Sequence, residues 1–165
     1  MNKKRFSLIA ITVVTLFLGS CIKSTYNDNP SNCIPNTTGV PTAAEISALQ
    51  SYITTNSITA TQNPGGFFYR IITQGTGATP ALSSNITVKY TGTLTNGFVF
   101  DQNTAGFTAV LSQLITGWQK GLPLIQKGGS IVLYLPPTLG YGCAQIGSIP
   151  PGSNLIFSIE LVDVQ

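Results

Sequence analysis

The chain has 165 residues, of which 42% are apolar and only 8% charged, and it contains no histidine. That length accommodates one domain of roughly 100–150 residues with appendages. Without imidazole there is no Ser-His-Asp or Cys-His nucleophile and no histidine metal cluster, and the five scattered carboxylates do not make an oxygen cage, so neither metal nor cofactor is expected. Lys3, Lys4 and Arg5 hold three of the eight basic residues, and without them basic and acidic residues balance. No basic stripe is left to follow a phosphate backbone, so no nucleic-acid partner is expected.

The three basic residues precede an uncharged run over 6–18. It is too short to span a bilayer as a helix, and its charge-then-apolar order is that of a secretory signal. The run closes on Leu18-Gly19-Ser20-Cys21, which resembles the lipobox of bacterial lipoproteins. That resemblance implies that residues 1–20 are removed and that Cys21 is lipidated. The alternative is an ordinary signal with an unrelated cysteine. Several acyl chains, each buried methylene contributing about 0.8 kcal/mol, would attach the mature chain stably to a membrane. Ile22 is not an acidic retention residue, which favours the outer membrane, periplasmic side, of a bacterial cell envelope.

Residues 21–41, rich in Asn, Ser, Thr and Pro around Cys33, have little to bury and read as a tether. Thr42 stands three residues before Glu45, the spacing of a capping box. Ile46, Leu49 and Ile53 then fall on one face of a helix over about 42–55, which packs on the domain or on a partner. Residues 42–63 are therefore an N-terminal helix and linker. Asn63-Pro64-Gly65-Gly66 is a turn, and residues 67–74 read as a strand. Ile86, Val88 and Tyr90 alternate with polar residues as a half-buried strand. Asn96-Gly97 predicts a tight hairpin into Phe98-Val99-Phe100. Trp118, Gly121, Leu122 and Ile125 take helical spacing until Gly128-Gly129, with Pro123 requiring that helix to be brief or bent. Ile131, Leu133 and Leu135 form a further strand, as do Leu155, Phe157, Ile159 and Leu161. The sum is an α+β domain over 64–165, its antiparallel strands covered by one short helix.

Four ordered blocks then carry a resemblance. They are Val88-Lys89-Tyr90-Thr91-Gly92-Thr93-Leu94 with Gly97-Phe98-Val99-Phe100-Asp101; Leu114-Ile115-Thr116-Gly117-Trp118 with Gly121-Leu122; Leu135-Pro136-Pro137 with Leu139-Gly140-Tyr141-Gly142; and Ile149-Pro150-Pro151 with Asn154-Leu155-Ile156-Phe157 and Glu160-Leu161. In order and spacing these resemble the FKBP-type peptidyl-prolyl cis-trans isomerases, the macrolide-binding immunophilins. The resemblance implies an antiparallel half-barrel sheet wrapped around one short helix, here with an extra N-terminal helix, and an apolar site between helix and sheet.

By matching positions, Trp118 would be the floor of that site, with Tyr90, Phe100, Phe107 and Phe157 around it. Leu114, Ile115 and Ile149 would be aliphatic walls, Tyr141 would stand at the rim, and Asp101 would face the site near Tyr90. The Ile115 backbone N–H and the Tyr141 hydroxyl are the candidate donors to a substrate carbonyl. The 101–107 and 111–118 intervals are short for the family, and Ile146 stands in the rim loop where some relatives have histidine, so Ile146 is expected to cover the site.

The implied activity is isomerisation of prolyl bonds in exported envelope proteins. The implied partners are proline-containing polypeptides, rapamycin-type macrolides and a membrane reached through the N-terminal lipid, with the chain a monomer. A second reading is a catalytically weak binding module that holds a proline-containing segment of a membrane partner. Two cysteines other than Cys21 remain, Cys33 and Cys143, in a compartment that permits disulfides. They are either unrelated or a bridge that staples the tether to the rim.

Overall fold

Thr42 starts the first helix, α1 (Ala43–Thr55), through a complete capping box. Its hydroxyl accepts from the Glu45 N–H at 3.2 Å, and the Glu45 carboxylate accepts from the Thr42 N–H at 2.7 Å. The computed structural model describes Cys33 and residues 35–165; the expected signal, the Cys21 lipid site and residues 22–32 of the tether lie outside the described residues. Six strands follow: β1 (Thr61–Asn63), β2 (Phe67–Thr73), β3 (Asn85–Leu94), β4 (Val99–Val110), β5 (Ser130–Leu135) and β6 (Leu155–Val164). They form one sheet in the order β1-β2-β5-β6-β3-β4 with every pairing antiparallel. The second helix, α2 (Thr116–Gly121), is six residues long and tightens into a 3-10 turn at Leu122–Leu124, because Pro123 cannot donate a helical hydrogen bond.

Alternation along the strands divides the apolar residues between two faces. Phe67, Leu133, Leu135, Phe157, Ile159 and Leu161 join Trp118 and Leu122 in the main core between sheet and α2. Phe68 and Tyr134 point the other way and meet Leu49 and Ile53 of α1. The N-terminal helix thus packs on the outer face of the sheet, where burying Leu49 and Ile53 contributes about 1.5–3 kcal/mol each. Close approach of α2 to β5 depends on two glycines one turn apart. A Cβ on Gly117 would overlap the Leu135 side chain, and one on Gly121 would lie 2.6 Å from Leu133 Cδ1.

Three expectations change. Residues 61–63, read as linker, form the edge strand β1 paired with β2, so a boundary at residue 64 cuts a hairpin. Residues 35–41, read as tether, lie along the domain. Pro41 is buried, Asn36 donates to Thr138 Oγ1 at 3.0 Å, and Cys33 is disulfide-bonded to Cys143 with a Cα–Cα distance of 5.6 Å. That bond closes a 110-residue separation, for which chain entropy gives up to about 5 kcal/mol of stabilisation. Third, the sequence shows a strand only at Phe98-Val99-Phe100, whereas the short 101–107 interval continues it as part of a bulged β4.

Candidate functional site

Strand β4 owes its shape to two register shifts against β3. Gly92 pairs with Asp101 and Thr93 with Val99, which leaves Phe100 as an extra residue. A bulge of this kind turns neighbouring side chains toward one face. Here Phe100 meets Phe157 edge-on with ring centres 5.5 Å apart, and Asp101 Oδ2 accepts a hydrogen bond from the Tyr90 hydroxyl at 2.7 Å. Gly92 makes room for this packing, since a Cβ there would stand 2.6 Å from Phe100 Cε2. The second shift, between Val88 and Tyr90, is absorbed on β4 between Asn103 and Phe107. Asn103 Oδ1 accepts from the Ala105 and Gly106 amides there, at 3.1 and 2.9 Å, and Gly106 supplies the positive φ of 125°.

These shifts gather the aromatic residues around α2. Trp118, 4% exposed, meets Tyr90 at 5.1 Å and Phe157 at 5.2 Å, both edge-on at 80° and 88°. Tyr90 in turn meets Phe107 at 6.1 Å. Such edge-to-face pairs add about 0.5–1.5 kcal/mol each beyond area burial. Leu114, Ile115 and Tyr141 pack against the same cluster half-buried, and Ile149 is buried within it. The Trp118 Nε1–H is buried with no hydrogen-bond partner among the described residues, a cost that a purely structural core generally avoids.

Ile146 lies in the loop that follows Tyr141. It is 45% exposed. Its backbone is spent on a two-way bridge to Ile149, with N–H to O distances of 3.2 and 2.9 Å. Ile149 turns inward, while Ile146, on the other side of that tight turn, is largely exposed. The remaining sequence-derived residues, Tyr90, Phe100, Asp101, Phe107, Leu114, Ile115, Trp118, Tyr141, Ile149 and Phe157, come together.

Donor capacity is unequal around the cluster. Tyr90 gives its proton to Asp101, and burial, this hydrogen bond and the nearby carboxylate charge all push its phenol pKa well above the usual value. It stays neutral through the physiological range. Burial and the Asp101 charge raise Tyr141 as well, but among the described residues its hydroxyl makes no hydrogen bond. The Ile115 N–H, just ahead of α2, likewise has no acceptor among the described residues. Two uncommitted donors therefore border an apolar, aromatic-floored site.

Sequence reasoning missed Gly92 as a packing residue and Thr138 as an anchor. Thr138 is the middle residue of the 3-10 turn (Pro137–Leu139) ahead of Tyr141, and its N–H and hydroxyl both donate to Glu45 Oε1. No local pattern signals a contact that spans 93 residues.

Residues 77–162 match the family model described as FKBP-type peptidyl-prolyl cis-trans isomerase. The chain is 43% identical over 103 residues to the FKBP-type peptidyl-prolyl cis-trans isomerase FkpA of Escherichia coli strain K12, covering 61% of this chain and 38% of that protein. It is 43% identical over 106 residues to the outer membrane protein MIP of Legionella longbeachae, covering 62% of this chain and 46% of that one. The chain thus spans less than half the length of these relatives. The crystal structure of a peptidyl-prolyl cis-trans isomerase from Pseudomonas syringae pv. tomato superposes with a TM-score of 0.65 at 30% identity, over 76% of this chain and 96% of that one.

Proposed function

The chain belongs to the FKBP-type peptidyl-prolyl cis-trans isomerase family, and on that basis we propose that it catalyses cis-trans isomerisation of Xaa–Pro bonds in polypeptides of the bacterial cell envelope. The observation that carries this reading is the aromatic floor, Trp118 flanked edge-on by Tyr90 and Phe157, with two uncommitted donors beside it.

The chemistry follows from the amide. Rotation about its C–N bond meets a barrier of roughly 20 kcal/mol because the planar form is conjugated and dipolar. A pyrrolidine ring seated on Trp118 leaves water, which would favour the planar form, outside. The twisted, less polar amide is then disfavoured less than in solution. The Ile115 N–H and the Tyr141 hydroxyl hold the displaced carbonyl, and Asp101 orients Tyr90 through their hydrogen bond. Phe100, Phe107, Leu114, Ile149 and Phe157 supply the walls. Catalysis is differential binding of one conformer and needs no proton transfer. The same apolar site takes macrolides of the rapamycin type.

In this reading residues 1–20 are a lipoprotein signal, Cys21 carries the lipid, and the isomerase unit from about residue 61 works as a monomer at the outer membrane, on its periplasmic side. The test is acceleration of cis-to-trans conversion in a short Xaa–Pro peptide by soluble protein starting near Ser24. Acceleration abolished by rapamycin is the expected result; no acceleration by folded protein contradicts the enzyme and leaves a binding module.

A further inference from the structure

The loop that carries Tyr141 is held from both sides by the N-terminal segment. Three residues before Tyr141, Thr138 donates to Glu45 Oε1 through its N–H at 2.9 Å and its hydroxyl at 2.6 Å. Two residues after it, Cys143 is bonded to Cys33. Glu45 is doubly engaged, because its other oxygen, Oε2, closes the capping box on the Thr42 N–H at 2.7 Å. One carboxylate therefore fixes the start of α1 and the start of the Tyr141 loop together, and α1 is seated on the sheet by Leu49 and Ile53.

Tyr141 has little else to hold it. Its hydroxyl makes no hydrogen bond among the described residues, and its ring is only half-buried against the cluster. Its position is set by its backbone: the Gly140 and Gly142 amides both donate to Pro137 O at 2.9 and 2.8 Å, the Ala144 amide donates to Tyr141 O at 3.1 Å, and the Gly152 amide to Gly142 O at 2.9 Å. A donor that acts only at the transition state loses its effect when its loop wanders by about an ångström.

We infer that Glu45 and the Cys33–Cys143 bond are positioning groups for Tyr141, so that the N-terminal segment is a working part of the site rather than a tether that merely abuts it. The kinetic side of this inference rests on the isomerase reading; the structural side does not. The test uses the chain from near Ser24 in two forms, wild type and Cys33→Ser/Cys143→Ser/Glu45→Ala, each with and without Tyr141→Phe. Amide exchange at Gly140, Gly142 and Ala144 is expected to quicken in the unclamped form by roughly tenfold or more beyond any change at Leu133 and Ile159, whose exchange reports the global stability lost with the disulfide. Tyr141→Phe is expected to lower kcat/KM in the clamped chain and to have little further effect in the unclamped one, a coupling that a purely structural role would not give. Unchanged exchange in the loop, or the same fold-loss from Tyr141→Phe in both forms, overturns the inference. Should the triple variant unfold, Thr138→Val with the disulfide reduced removes the covalent hold and the hydroxyl half of the Glu45 contact, leaving the Thr138 N–H bond and the α1 cap in place, and is judged by a smaller rise in the same exchange readout. Absence of any isomerisation by the wild type sinks the isomerase reading, and loop exchange still decides whether the clamp exists.

Discussion

Gly92→Ala separates the stability of the fold from the shape of the site. The new Cβ would stand 2.6 Å from both Cε2 and Cζ of Phe100 and 2.9 Å from Cε1 of Phe157. One ring must therefore move. Phe157 is 3% exposed and lies inside the main core; Phe100 is half-buried on the bulge of the edge strand β4. Phe100 yields because it can swing toward solvent. Overpacking costs about 1–3 kcal/mol, and this escape keeps the cost at the low end. Gly92 sits in β3 without a positive φ, so alanine is free of backbone strain there and recovers about 0.4–1 kcal/mol from the unfolded chain. The net loss in urea denaturation is expected to be about 1 kcal/mol or less. The site suffers more, because the edge-on contact of Phe100 with Phe157 is broken and one wall swings away. Macrolide affinity is expected to fall by about tenfold, equivalent to about 1.4 kcal/mol. A stability loss above about 3 kcal/mol would show that Phe100 cannot move. Unchanged affinity with unshifted Phe100 ring resonances would refute the packing argument itself.

Three further outcomes follow from the same geometry. Trp118→Ala is expected to cost about 3–5 kcal/mol of stability in thermal or urea denaturation, whereas Trp118→Leu folds better yet binds rapamycin poorly by calorimetry. Asp101→Asn keeps an acceptor for the Tyr90 hydroxyl, so kcat/KM should drop by only about tenfold; a fall beyond a thousandfold would make the charge itself central. Burial acts to raise the Glu45 pKa, but the hydrogen bonds from Thr138 and Thr42 outweigh it and hold the carboxyl below its usual value. Its contribution to stability is therefore complete above the unfolded-state pKa and lost as pH falls through the lower folded value. The stability gap between wild type and Glu45→Gln should be constant above about pH 5 and narrow below about pH 4, and a gap that widens in acid contradicts the assignment.

Much of this was legible in the sequence because it is written in local patterns. The Thr42–Glu45 spacing, the alternation in β3 and β6 and the Asn96–Gly97 turn each occupy a few neighbouring residues, and each lies where it was expected. Strand β4 was legible only at its start. Its two bulges break the period of two, and as an edge strand it shows water many polar side chains, so its sequence lacks the alternation that marks a half-buried strand. Strand β1 consists of three polar residues and exists only because β2 lies beside it. The clamp on the Tyr141 loop joins positions 93 and 110 residues apart, a distance at which pairing is set by the folded topology.

The central claim is that prolyl isomerisation takes place on the Trp118 floor, and Trp118 is the chain's one tryptophan, so its fluorescence reports that surface alone. Rapamycin titrated into active protein, with Xaa–Pro isomerisation and tryptophan emission followed in the same samples, provides the direct test. The two signals are predicted to change together, with a common midpoint and one equivalent at saturation. Inhibition with no change in emission, or a saturating change in emission that leaves the rate intact, would contradict the account.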